Sequence, residues 1–230
     1  MTVIQPPDAR SRAIQAAFIA SLGNSERRTV PYRHWFLSDV LPAEVAREIV
    51  DLPIEAPTAE QLVLDGRRDT NNASRTFFAV SLRQRFDVAR ALSEAFQSPE
   101  TVAAIERECD ANLAGTNLRI EFCQDTEGFW LEPHTDIGPK KFTMSLFLCE
   151  GEAASDLGTD IFDGNKQWVA RAPSPFNSAM LFIPSKASFH GFRQRSFAGL
   201  RKSLIINYVT QEFRSRHELA YPETPVRGVA

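Results

Sequence analysis

His134, Thr135 and Asp136 are the first residues whose types and spacing could do chemistry. In an extended segment side chains alternate with period two, so His134 and Asp136 point the same way. His190 follows later in the chain, in another β-type run. Two imidazoles and one carboxylate supply three neighbouring ligands and leave the opposite coordination positions open, the facial arrangement of non-haem iron(II) oxygenase sites. Such a metal must hold a chelating co-substrate and O2 together, and a closed four-ligand site could not do so. A lone H-x-D pair is a weak signal, and hydrogen-bonded core or surface residues are the competing reading. The remaining histidines, His34 and His217, have no ligand-type neighbour at useful spacing.

A second cluster follows His190. The run from Arg201 to Tyr208 is β-rich, and alternation puts Arg201, Ser203 and Asn207 on one face. Arginine offers a planar fork of donors that matches a carboxylate and stays charged. Ser203 can add a neutral donor beside it. A charged strand edge is the plainer reading of this run alone; coming after His134, Asp136 and His190, it reads as an acid-binding wall beside the metal.

These residues need a scaffold. Ile14, Phe18 and Leu22 recur at the helical period, with Asp8 able to cap the start and Gly23 the end. Residues 31–37 read as a strand. Pro42 opens a helix with Val45, Ile49 and Leu52 inward, which stops at Pro53. Residues 53–74 lack periodicity and read as a mobile flap or a disordered surface loop. Phe86, Ala89, Leu92 and Phe96 predict a helix, and Ser98–Pro99 starts another with Val102 and Ile105 inward. From 116 onward the runs 118–123, 128–133, 141–149, 159–163, 166–170, 178–183, 187–192 and 201–209 read as short strands, which predicts a β-sandwich or barrel. Residues 211–219 read as a short helix. The expectation is a mainly β single domain over 1–230, with a helical and strand annex (1–115) packed on a β core (116–210), then a C-terminal helix and tail (211–230).

The arrangement H-T-D, then F-H-G-F, then R-K-S-L-I-I-N-Y resembles the 2-oxoglutarate/Fe(II)-dependent dioxygenases, in the branch of prolyl-hydroxylase-like enzymes. The resemblance covers roughly 116–210 and, more loosely, 31–52. It implies a double-stranded β-helix, or jelly-roll, core. It also implies iron held by His134, Asp136 and His190, and 2-oxoglutarate whose distal carboxylate pairs with Arg201, assisted by Ser203. Ascorbate would be an accessory, and Asp136 weighs against halogenation, where a small residue replaces the carboxylate. One departure is that the basic residue comes late after the second histidine, because position 200 is Leu. Lys202 is therefore a rival to Arg201, though alternation points it the other way.

Composition narrows the rest. The net charge of −3 gives no electrostatic case for nucleic acid. No apolar run is long enough to span a bilayer. The odd count of 3 cysteines argues against a disulfide framework and predicts reduced thiols in the cytoplasm. The Asp-rich run Asp156, Asp160 and Asp163 does not have the spacing of a calcium hand and reads as a turn between strands.

The substrate is less legible. Leu118, Ile120 and Phe122 should face the helices, turning Arg119 and Glu121 toward the barrel mouth or to solvent. Opposite charges at the mouth suit a zwitterionic or richly hydroxylated molecule. Trp130 either walls the pocket or is core, and Asn72 and Arg75 are further candidates near the end of the long connection. The expected function is hydroxylation of an aliphatic C–H of a small polar metabolite, such as an amino acid or saccharide, with O2 as partner. The alternatives are a protein (prolyl-type) hydroxylase and a non-enzymatic metal- or ligand-binding β-barrel.

Overall fold

The computed structural model describes residues 8–67, 72–136 and 138–227. Among the described residues, five helices form one layer: α1 (Ala9–Gly23), α2 (Ala43–Val50), α3 (Val80–Arg85), α4 (Asp87–Gln97) and α5 (Pro99–Cys109). The Asp8 carboxylate caps α1 by accepting from the Ser11 amide at 2.8 Å. Ser98 caps α5 through Thr101, and Pro99 sits in the first turn, where its missing N–H costs nothing. Among the described residues no helix is long and apolar enough to cross a membrane.

The strands are β1 (Glu26–Arg28), β2 (His34–Leu37), β3 (Arg75–Phe77), β4 (Asn117–Asp125), β5 (Leu131–His134), β6 (Lys140–Phe147), β7 (Asp160–Phe162), β8 (Trp168–Arg171), β9 (Ser178–Phe182), β10 (His190–Phe192) and β11 (Arg201–Val209). All pairs are antiparallel. A seven-stranded sheet runs β1-β2-β9-β6-β11-β4-β3, and a four-stranded sheet runs β5-β10-β7-β8. The fold is the predicted jelly-roll flanked by N-terminal helices.

Each face of the large sheet has its own chemistry. On the helix side, Leu118, Ile120, Phe122, Leu204, Ile206 and Tyr208 join Ile14, Phe18, Leu22, Leu92 and Phe96 in one buried cluster. Burying each such large apolar side chain contributes about 1.5–3 kcal/mol, so this face fixes the strand register. The Tyr208 hydroxyl donates to the Phe96 carbonyl at 2.5 Å and ties sheet to helix. Because side chains alternate, the same register turns Arg119, Glu121, Arg201, Ser203 and Asn207 inward, toward the small sheet.

Three expectations change. Residues 211–219 are not a helix but a strap of turns with a single 3-10 turn at Arg216–Glu218. Phe213 and Leu219 pack on Val209, a spacing that no helical stripe supplies. Gln211 and Arg216 both donate to the Asn117 side-chain oxygen and hold the strap flat. The long connection is fastened over its described part: Trp130 donates to the Leu64 carbonyl at 3.0 Å, and the Glu132 amide donates to the Gly66 carbonyl at 2.9 Å. Gly66 has φ +75°, and a Cβ there would meet the Trp130 ring at 2.2 Å. Asp160 is not in a turn but inside β7, fully buried.

Candidate metal centre and its cavity

His134 ends β5 and His190 opens β10, and the two are paired directly across the strands. Their rings lie 4.4 Å apart, centroid to centroid. Gly191 makes this pairing possible, since a Cβ there would stand 2.6 Å from the Leu131 carbonyl oxygen. Each imidazole Nδ1 faces a carbonyl two residues earlier, Glu132 at 2.9 Å and Ser188 at 3.0 Å. A carbonyl can only accept, so Nδ1 carries a proton, and in the neutral ring Nε2 is then the nitrogen whose lone pair can take a metal.

Asp136 completes the group, and one ligand atom from each of the three residues lies within 4.8 Å of the others. The Asp136 side chain is fully buried. Its Oδ1 lies 4.0 Å from His190 Nε2 and accepts from the Lys140 ammonium at 2.7 Å. Its Oδ2 accepts from the Thr143 hydroxyl. Two imidazole nitrogens and one fixed carboxylate fit a divalent cation of the iron class.

The three residues line a cavity of about 310 Å³ between the sheets, together with Arg75, Arg119, Glu121, Lys140, Arg201 and Ser203. Arg201 Nε donates to the Leu157 carbonyl at 2.8 Å, and Nη1 donates to Asp125 at 2.5 Å. Its guanidinium lies over the Phe192 ring at 4.5 Å, two residues beyond His190. Lys202 points to the opposite face, where its ammonium donates to the Val50 carbonyl at 2.8 Å. Arg201 rather than Lys202 therefore reaches the cavity.

The wall along β4 is a ladder of alternating charge. Glu218 accepts from Arg119 at 2.5 Å, and Arg119 also pairs with Glu121. Arg75 pairs with Glu121 at 3.2 Å and with Asp125 at 2.8 Å. Burial pulls the Arg75 guanidinium down, but Asp125 and Glu121 outweigh it and hold the group above its ordinary value. Burial pushes the Cys123 thiol up to about 12, so it stays neutral within this wall. Arg119 and Glu121 thus reach the cavity, but they meet each other there. Trp130 does not line it and instead fastens residues 64–66. Asn72 opens a 3-10 turn, and its side chain lies outside the described residues.

Sequence reading missed Lys140, Thr143, Asp125 and the strap residues Phe213, Ser215 and Glu218. Asp125 continues the inward alternation Arg119, Glu121, Cys123, and a strand drawn two residues longer would have included it. Lys140 and the strap carry no periodic signal, because a bulge and a turn place them.

No protein-family model and no curated protein sequence matches this chain. Solved structures do. A prolyl hydroxylase from Trichoplax adhaerens, in complex with a hypoxia inducible factor peptide fragment, aligns over 88% of this chain and 91% of its own, with TM-score 0.56 and 10% identity. A prolyl 4-hydroxylase from Phytophthora capsici aligns over 92% of this chain and 69% of its own, with TM-score 0.55 and 15% identity. A 2OG-Fe(II) oxygenase family oxidoreductase from Burkholderia pseudomallei aligns over 94% of both chains, with TM-score 0.52 and 13% identity. The fold is therefore the double-stranded β-helix that these oxygenases share.

Proposed function

We propose that the chain is a 2-oxoglutarate- and Fe(II)-dependent dioxygenase that hydroxylates an aliphatic C–H of a small polar metabolite. The observation that carries this reading is the gathering of His134, Asp136 and His190 on the wall of a cavity that also holds Arg201 and Ser203. Ferrous iron with 2-oxoglutarate supplies oxidative decarboxylation to succinate and CO2 and the insertion of one oxygen atom into a C–H bond. The chain's own residues position and protect that chemistry. His134 and His190 would hold the metal through Nε2, and Asp136 through its carboxylate. Arg201 would take the distal carboxylate of 2-oxoglutarate, already aimed by Leu157, Asp125 and Phe192. Phe129, Leu131 and Phe192 give the cavity an apolar side that excludes water.

Spent on each other, Arg119 and Glu121 leave hydroxyls to face a substrate, those of Ser145, Thr159 and Ser215. Such a lining suits a hydroxylated ligand better than a zwitterion. A protein hydroxylase is the second reading, favoured by the peptide-bound prolyl hydroxylase among the structural neighbours.

Iron-loaded protein incubated with 2-oxoglutarate and metabolite pools, or with proline-containing peptides, tests both. Succinate formation with a product gaining one oxygen is the expected result, and the substrate that gains it decides between them. Absence of succinate with every substrate, at full iron loading, would leave only a non-enzymatic barrel.

A further inference from the structure

Asn207 is fully buried, and it lies across the large sheet from Arg119 on one side and Thr143 on the other. Arg119 Nη1 donates to Asn207 Oδ1 at 3.2 Å. Asn207 Nδ2 donates to Thr143 Oγ1 at 3.0 Å and to the Phe142 carbonyl at 3.3 Å. The Thr143 hydroxyl donates to Asp136 Oδ2.

The direction of each link is forced. A guanidinium can only donate, so the amide oxygen must face Arg119. A carbonyl can only accept, so the amide nitrogen must face Phe142, and with it Thr143. With Thr143 Oγ1 receiving that N–H, its own proton goes to Asp136. Arg119 is held in place because Glu218 accepts from its Nε and Glu121 pairs with the same Nη1 that faces Asn207.

We propose that Arg119, Asn207 and Thr143 form a one-way hydrogen-bond relay that holds Asp136 Oδ2 while Lys140 holds Oδ1, and so fixes the orientation in which the carboxylate meets the metal. This rests on the metal-centre reading above. It makes Arg119 a positioning residue, where the sequence pointed to a substrate contact. Groups that orient a metal-ligand carboxylate act on metal affinity through it.

Three variants read the relay by Mn²⁺ affinity, measured from the electron paramagnetic resonance signal of free Mn²⁺, with thermal unfolding of the metal-free chain as the folding control. T143V is isosteric and removes the hydroxyl; T143S keeps it. N207D keeps the shape but turns the link around, because a carboxylate has no N–H and draws the Thr143 proton to itself. T143V and N207D should weaken Mn²⁺ binding by about 10–100-fold, while T143S should bind like the wild type. Wild-type affinity in folded T143V, or affinity lost equally in T143S, would overturn the relay. So would loss in T143V with full affinity in a folded N207D, which would reduce Thr143 to a local contact. If N207D does not fold, N207A removes the same N–H without adding charge, and full Mn²⁺ affinity in folded N207A overturns the relay. A wild-type chain that binds no Mn²⁺ overturns the metal centre itself, and the relay with it.

Discussion

Asp136 and Asp160 both carry side chains without solvent exposure, and both are held by cations. Their partners differ. Asp160 Oδ1 accepts from the Trp168 indole at 2.9 Å and from Arg171 at 3.0 Å. Its Oδ2 accepts from the Arg193 amide at 2.7 Å and from Arg195 at 2.6 Å. A carboxylate offers about four lone-pair sites, and all of Asp160's are turned to the protein. Asp136 receives donors from Lys140 and Thr143 and also faces the imidazoles of His134 and His190, whose Nδ1 atoms are committed to backbone carbonyls. Burial alone does not mark a metal ligand. What marks it is whether the groups converging on a carboxylate are donors or other lone pairs.

That contrast predicts a separation in metal binding. His134→Ala and His190→Ala should abolish conversion of 2-oxoglutarate to succinate, and Asp136→Asn should bind divalent metal far more weakly and also lose stability, because Lys140 is left buried without its carboxylate. Asp160→Asn should lose stability while the folded chain keeps its metal affinity. It leaves Arg171 and Arg195 against an amide that cannot accept from both, and breaking a buried pair costs about 3–5 kcal/mol of stability. Chemical denaturation and metal titration of both aspartate variants measure the two effects. Turnover retained in either histidine variant, or an Asp160→Asn chain that is stable but metal-blind, would erase the distinction.

The acid end of the cavity gives the next effect. Arg201→Ala removes a charge-assisted partner for a carboxylate, a loss on the order of 2–5 kcal/mol. The concentration of 2-oxoglutarate needed for turnover should rise accordingly, with the iron requirement little changed. Unchanged 2-oxoglutarate dependence would sever Arg201 from co-substrate binding, and the equal loss of both requirements would make it structural.

How much of this could be read from the chain follows from periodicity. Where burial and alternation coincide, as in β4 and β11, the strands and their inward residues are visible in the sequence. The edge strands β1 and β3 are three residues long and show no alternation, so they were not visible. His134 and His190 were legible as types at a spacing, but their direct pairing is a matter of register. The charges of Arg119 and Glu121 were legible, whereas their mutual neutralisation was not, because Arg75 and Glu218 arrive from distant segments. Trp130 has the character of a pocket wall, yet the backbone it fastens lies more than sixty residues earlier.

Asp8 extends the comparison to a carboxylate at the surface, with 39% of its side chain exposed. Its pKa is lowered, first by the hydrogen bond from the Ser11 amide and also by Arg90, although burial opposes both. A carboxyl lowered on folding stabilises the protein at pH values above its unfolded pKa, and that stability is lost as the pH falls through the folded pKa. The Arg90 pair is largely screened by solvent, so the cap supplies most of the effect. Asp8→Ala should therefore cost about 0.5–2 kcal/mol at neutral pH, the smallest change of the series. The gap between variant and wild type should close in acid, once the wild-type carboxyl is protonated. Unfolding curves of both chains at neutral pH and in acid provide the check. A gap of constant size across that range would mean that Asp8 acts through its shape, and that only the buried aspartates of this fold act through their charge.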